Sequence, residues 1–147
     1  MIEALALGDV IATAGVVVVD GDHVLLVEHG DGAGHITGAW GIPAGEIDGD
    51  ETARVGAARE LAEETGLRVD VQELVELPTL YQARIRRKVG SQRFSLRVFV
   101  ATRYQGNVTP SAEGVPRWVH ANEVAGLRPL LGNTAQIVEA AMQLQRR

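Results

Sequence analysis

The stretch GEIDGDETARVGAARELAEETGL, residues 45–67, contains the most regular helical pattern in the chain, and its second half is crowded with like charge. A helix is predicted from about Glu51 to Thr65, because Asp48 and Asp50 offer N-cap oxygens ahead of it and Gly66 can end it. At about 100° per residue, with Val55 set at zero, Ala58, Leu61, Ala62 and Thr65 fall roughly between 240° and 340°, the arc expected to face the core. Glu60, Glu63 and Glu64 fall at about 140°, 80° and 180°, together on the opposite face. Ala53, Gly56 and Ala57 lie between them, so a cation could approach the carboxylates closely. A plainly solvated face gains more from lysine or glutamine. Glu60 and Glu64 repel at i,i+4, and a hard divalent cation relieves that repulsion. Taken alone, the helix also reads as an ordinary acidic face carrying an Arg59–Glu63 i,i+4 pair.

Strand-like runs lie on both sides. Ile11 to Val19 is apolar and β-branched, and Val24 to Val27 repeats that character after the turn sequence DGDH, which predicts a hairpin. Residues 30–38, GDGAGHITG, read as a glycine-rich loop. It is no Walker phosphate loop, since the chain's one lysine is Lys88 and no Gly-Lys-Ser/Thr ending is present. Beyond the helix, strands are predicted over residues 68–74 and around 77–85. In RFSLRVFVATRY, Phe94, Leu96, Val98 and Val100 alternate with Ser95, Arg97, Phe99 and Ala101. Near the end, Leu130, Leu131, Thr134, Ile137, Val138, Ala141 and Leu144 recur at helical spacing, as in an amphipathic helix covering a sheet. Strands interleaved with helices point to an α/β or α+β sandwich.

The chain has 147 residues, 46% of them hydrophobic, the size and composition of one globular domain. It contains no cysteine, which excludes disulfides and thiolate chemistry and makes the cytoplasm the expected location. No apolar run is long enough to span a bilayer, and Glu3 and Asp9 argue against a signal peptide. A net charge of −5 disfavours a dedicated nucleic-acid binder. Against that acidity, Arg84, Arg86, Arg87, Lys88, Arg93 and Arg97 cluster locally, which suggests a small anionic ligand. Homodimerisation through the N-terminal strand or the last helix is compatible with the sequence.

Residues 45–67 match all nine fixed positions of the pattern G-x5-E-x7-R-E-U-x-E-E-x-G-U, with U aliphatic. The chain therefore resembles the Nudix hydrolases. WGIPAGEID before the box and the late RWV extend the resemblance more loosely along the chain. It implies a single Nudix-type α/β/α sandwich with a mixed central sheet over residues 1–147. It also implies hydrolysis of a pyrophosphate bond in a nucleoside diphosphate linked to another moiety, with Mg2+ or Mn2+. ADP-ribose, a nucleotide sugar and a (deoxy)nucleoside triphosphate all fit as the nucleotide-type substrate. A catalytically silent nucleotide-sensing domain is the alternative.

By the same resemblance, Glu60 and Glu64 are the expected metal ligands, with Glu63 a third and the Ala44 backbone carbonyl completing the shell. Arg59 is the orienting arginine, and Gly45 allows close backbone approach to the substrate. Glu51 falls near 320° on the wheel and Arg54 near 260°, on the core side, so Glu51 can join the site only if the helix begins after it. Glu113 is expected as general base or extra metal ligand, the alternative being a solvated loop glutamate, and Glu60 is the competing candidate for the base. Arg84 and Arg97 are expected to bind substrate, the alternative being a strand edge blunted by charge. Trp40 and Trp118 read as core or pocket wall. His23, His29, His35 and His120 show no metal-ligand spacing and read as structural or exposed.

Overall fold

A computed structural model describes residues 9–30, 37–86 and 90–146. His35, Arg87 and Lys88 fall outside them. In chain order come β1 (Val10–Asp20), β2 (His23–His29), β3 (Trp40–Gly41), β4 (Ala44–Glu46), α1 (Ala53–Thr65), β5 (Val75–Arg86), β6 (Ser91–Ala101), β7 (Gly114–His120) and α2 (Thr134–Gln145). Short 3-10 turns occupy Val71–Glu73 and Ala121–Gly126.

The valine-rich β1 organises the sheet. A continuous apolar run suits a strand covered on both faces. It runs parallel to β6 from Val10↔Arg93 to Val18↔Ala101 and antiparallel to β4 through Ala14↔Gly45. The expected hairpin with β2 forms only at its tip, Val19↔Val24 and Asp20↔His23. Beyond that point β2 leaves β1 and pairs along its length with β7. The seven strands make one mixed sheet, as the resemblance implied.

Alternation along β1 and β6 separates two cores. Val17, Val19, Val98 and Val100 pack with Ile137, Val138, Ala141 and Met142 of α2. Ala14, Val16, Val18, Phe99 and Ala101 pack with Ala57 and Leu61 of α1. One helix on each face gives the α/β/α sandwich.

Helix α1 departs from the expected drawing in start and in phase. It begins at Ala53, capped by Thr52, whose hydroxyl accepts from the Val55 N–H at 3.2 Å, so neither Asp48 nor Asp50 is the cap. Its end is as expected: Gly66 sits at φ 84°, where its N–H reaches the Ala62 carbonyl and a Cβ would meet the Asn107 carbonyl. Val55, taken as the origin of the wheel, is 46% exposed. The buried residues are Gly56, Ala57, Leu61, Glu64 and Thr65, so the core-facing arc is turned toward the glutamates by about 80° on the ideal wheel. Ala57 and Ala53 pack into the core beneath α1, a Cβ at Gly56 would meet the Glu51 carboxylate, and none of the three lines the cavity as a floor for a ligand. Arg54 lies inside the first turn, its guanidinium 5.1 Å from the Phe99 ring centre and donating to the Val71 and Leu74 carbonyls at 2.8 and 2.6 Å.

Residues 68–74 are not the expected strand. Arg68 makes one bridge to Gln105, and Asp70 then caps a 3-10 turn by accepting from the Gln72 N–H at 2.9 Å. The aspartate's local bond competes with a ladder. Strand β5 follows as an edge strand, its register with β6 interrupted between Glu76 and Leu80, around Pro78.

Candidate active site

Strand β4 lies beside β1 and beneath α1, and this places the carboxylates of the box. A cavity of about 520 Å3 opens there. Glu46, Asp48, Glu60, Glu64 and Glu113 line one part of it, and Tyr81, Phe94, Leu96, Leu131 and Ile137 another.

Glu64 lies on the buried face of α1 at 5% exposure, and its Oε1 has no hydrogen-bond partner. Burial, the Glu60 carboxyl bonded to it and the charges of Glu60 and Glu113 push its carboxyl from 4.5 up to about 9. A backbone bond from Ala44 pulls the other way, and since a carboxylate accepts, the Ala44 N–H is the donor. The resemblance assigned Ala44 a role through its carbonyl; its contact with Glu64 here is through the amide.

Arg59 gathers the neighbouring acids. Its Nε donates to Glu51 Oε2 at 2.8 Å, one terminal nitrogen to Glu60 Oε2 at 3.0 Å and Glu63 Oε1 at 3.2 Å, and the other to Glu51 Oε1 at 2.9 Å and the Glu46 carbonyl at 3.0 Å. These bonds, that to Glu51 foremost, hold the guanidinium firmly in its charged form. One oxygen of Glu60 is thereby fixed, and its carboxylate spans from Arg59 to Glu64.

Glu51 precedes α1, which resolves its position on the wheel, yet it does not line the cavity. It is a bidentate anchor for Arg59, and its Oε1 also accepts from the Asp48 N–H at 2.8 Å. The arginine bond, then the backbone bond, hold its carboxyl down at about 2, against an ordinary 4.5. Its contribution to stability is therefore complete above pH 4.5 and is lost as pH falls toward about 2. Comparing melting temperatures of wild type and Glu51→Gln across pH should show a gap at neutrality that closes in this window. A gap that does not change with pH would contradict the assignment.

Three other expected site residues are placed differently. Glu63 is 59% exposed, bonds to Arg59 and does not line the cavity. Arg84 donates to the Ser91 hydroxyl at 3.2 Å, and Arg97 pairs with Glu76 at 3.3 Å. Neither lines the cavity. The period-2 alternation explains this: Phe94 and Leu96 face the cavity, so Arg97 points through the opposite face of the sheet. Arg97 faces away from the apolar side, and the cavity lies on the apolar side.

Gly45 does line the cavity, but its close approach is to protein. A Cβ there would overlap the Glu60 carboxylate. Gly45→Ala should displace Glu60 and weaken divalent-cation affinity by about tenfold or more, the scale set by disturbing a ligand's support. Calorimetric titration with Mn2+ checks this, and unchanged affinity would remove Gly45 from the site.

Glu113 lines the cavity as expected, brought there because the loop ahead of β7 is pinned: the Gly30 N–H donates to the Glu113 carbonyl at 2.9 Å and the Glu113 N–H to the Ser111 hydroxyl at 3.1 Å. Trp40 and Trp118 pack on opposite cores and are outside the cavity. His29, read as structural or exposed, is buried and lines it.

No three acidic or imidazole groups among the described residues stand as a ready-made metal cage. The donor set nonetheless suits a hard divalent ion, which takes carboxylate oxygens and keeps several waters. Glu64 Oε1 is the kind of buried, unpartnered oxygen that such an ion satisfies.

Residues 10–140 match the NUDIX domain family, so the chain belongs to that family. A MutT-like protein of Streptomyces ambofaciens is 42% identical over 64 residues, which is 44% of this chain and 38% of that relative's length. The fold is similar to that of a MutT NUDIX hydrolase from Burkholderia pseudomallei, with a TM-score of 0.73 and 18% identity over 90% of this chain and 98% of the other. A bifunctional NMN adenylyltransferase/ADP-ribose pyrophosphatase from Francisella tularensis, complexed with AMP and a Mn ion, shares the fold at TM-score 0.67 and 20% identity, over 92% of this chain and 42% of that one.

Proposed function

We propose that residues 1–147 form one domain that hydrolyses a pyrophosphate bond in a nucleoside diphosphate derivative with the aid of Mg2+ or Mn2+. The observation that carries this reading is Glu64: a buried carboxyl at the cavity, one oxygen unpartnered, with Glu60 bonded to it and Glu113 close enough to raise its proton affinity. Glu60 and Glu64 would hold the ion. A divalent ion there neutralises pyrophosphate oxygens and lowers the pKa of bound water.

The protein groups divide the remaining work. Glu60 is tied to Arg59, whereas Glu113 carries no ion pair among the described residues, so Glu113 is the better general base. Its carboxylate takes the proton of the attacking water as the new P–O bond forms. The bridging P–O bond then breaks, and the bond's electron pair leaves with the departing phosphate. Arg59 fixes Glu60 and stays clear of the substrate. The apolar part of the cavity, walled by Tyr81, Phe94 and Leu96, suits the nucleoside end.

ADP-ribose, nucleotide sugars, dinucleoside polyphosphates and nucleoside triphosphates should be assayed with Mg2+ and Mn2+, scored by kcat/KM. Metal-dependent cleavage of at least one is expected, and labelled water will identify the phosphorus attacked. Binding without cleavage across the panel would instead make this a nucleotide-sensing domain.

A further inference from the structure

Glu113 is the third residue of a four-residue turn, Ser111 to Gly114, that closes on itself. The Ser111 N–H donates to the Gly114 carbonyl at 3.0 Å, and the Gly114 N–H returns a bond to the Ser111 carbonyl at 3.2 Å. Between them, the Glu113 N–H donates to the Ser111 hydroxyl at 3.1 Å. The Glu113 carbonyl is taken from outside the turn, accepting from the Gly30 N–H at 2.9 Å. Both backbone polar groups of Glu113 are therefore committed. Its side chain lines the cavity, where Glu64 feels its charge.

Gly114 seats this turn against the end of β2. It is buried and stands opposite His29 in the β2–β7 ladder. A Cβ at this position would overlap the Glu28 carbonyl and lie 2.9 Å from the His29 Cα. Both are backbone atoms, which cannot swing aside as the end of a flexible side chain does. Close approach of the two strands thus requires glycine one residue after the proposed base.

We propose that Ser111 and Gly114 are positioning residues that hold the Glu113 carboxylate at the cavity before substrate arrives. The proposal rests on the reading of Glu113 as general base. Neither residue lines the cavity, so each acts through Glu113. A base ordered in advance needs no further arrangement at the reaction step, and a misplacement of about 1 Å can cost about a hundredfold in rate. The competing reading is a turn that only starts β7.

Ser111→Ala, Ser111→Thr and Gly114→Ala separate the two readings, each made in wild type and in Glu113→Gln. The measurements are kcat and KM on whichever nucleotide the wild type cleaves, calorimetric Mn2+ affinity, melting temperature, and hydrogen exchange at the Glu113 N–H. Ser111→Ala should lower kcat about fivefold to tenfold, the scale of one hydrogen bond, and speed exchange at Glu113 while KM and Mn2+ affinity stay unchanged. Ser111→Thr keeps the hydroxyl and should retain most of the kcat. Gly114→Ala should lower kcat by about a hundredfold, with a lower melting temperature as the β2 end yields. In the Glu113→Gln background neither substitution should lower kcat further, because residues that act through one group are not additive.

Full kcat in Ser111→Ala, or losses that persist undiminished in Glu113→Gln, would overturn the proposal. So would losses that follow melting temperature across all three variants. If Glu113→Gln itself keeps full kcat, the reading of Glu113 as base fails by itself. Exchange at the Glu113 N–H and Mn2+-induced broadening of its carboxyl 13C signal then decide whether the turn holds it at the cavity: both should change in Ser111→Ala and return in Ser111→Thr, and signals that ignore Ser111 would count against it.

Discussion

Glu64→Gln is expected to lower kcat by at least about a hundredfold, the scale of removing one transition-state charge stabiliser, while making the metal-free protein more stable at neutral pH. The two effects share one cause. Glu64 is buried, and its carboxyl is raised by that burial, by Glu60 and by Glu113. Between pH 4.5 and about 9 the folded metal-free chain keeps a proton there that the unfolded chain has released, so the group costs stability that grows with pH across that range. An amide has the same shape, needs no proton and can donate to Glu60. A melting temperature higher by a few degrees is expected in chelator near pH 7. Adding Mg2+ should stabilise wild type and leave the variant unmoved, since an ion that binds only the folded state shifts the equilibrium by mass action. A variant that loses activity and stability together would make Glu64 a packing residue.

Arg59→Ala is expected to lower kcat/KM by about a hundredfold and to destabilise the fold by about 2 kcal/mol, the scale of a few hydrogen bonds to charged groups at a half-buried site. The arginine holds Glu51 with two bonds and Glu60 and Glu63 with one each, and its side chain is 26% exposed. Without it, Glu60 loses the contact that fixes one of its oxygens, and Glu51 keeps only the Asp48 N–H. Arg59→Lys should recover part of the stability and little of the activity, because an ammonium cannot reproduce the planar fork that reaches Glu51 and Glu60 together. Urea unfolding beside steady-state kinetics checks both effects. Full activity in Arg59→Lys would show that charge alone suffices.

The sandwich and the identity of the box were legible in the sequence because each rests on a strong local signal. The alternation of β6, the β-branched run of β1 and the spacing of Ile137, Val138 and Ala141 are periodicities that burial enforces. The phase of α1 was not legible. Ala53, Gly56, Ala57, Ala58 and Ala62 carry almost no hydrophobic contrast, so the wheel took its origin from Val55, which is exposed. Hydropathy also places glutamate outside, whereas Glu64 is turned inward at a cost that ordinary stability would not select. The position of Arg97 outside the cavity was not legible for another reason: alternation places side chains on faces, but only the packing of α1 and α2 shows which face holds the cavity.

The most direct measurement is Mn2+ binding to the metal-free protein, followed by calorimetry in wild type and in Glu64→Gln with its fold verified. Wild type should bind, and the substitution should weaken binding at least about tenfold. Binding that survives the loss of Glu64 undiminished would mean that the ion, and with it the chemistry, lies elsewhere in the molecule.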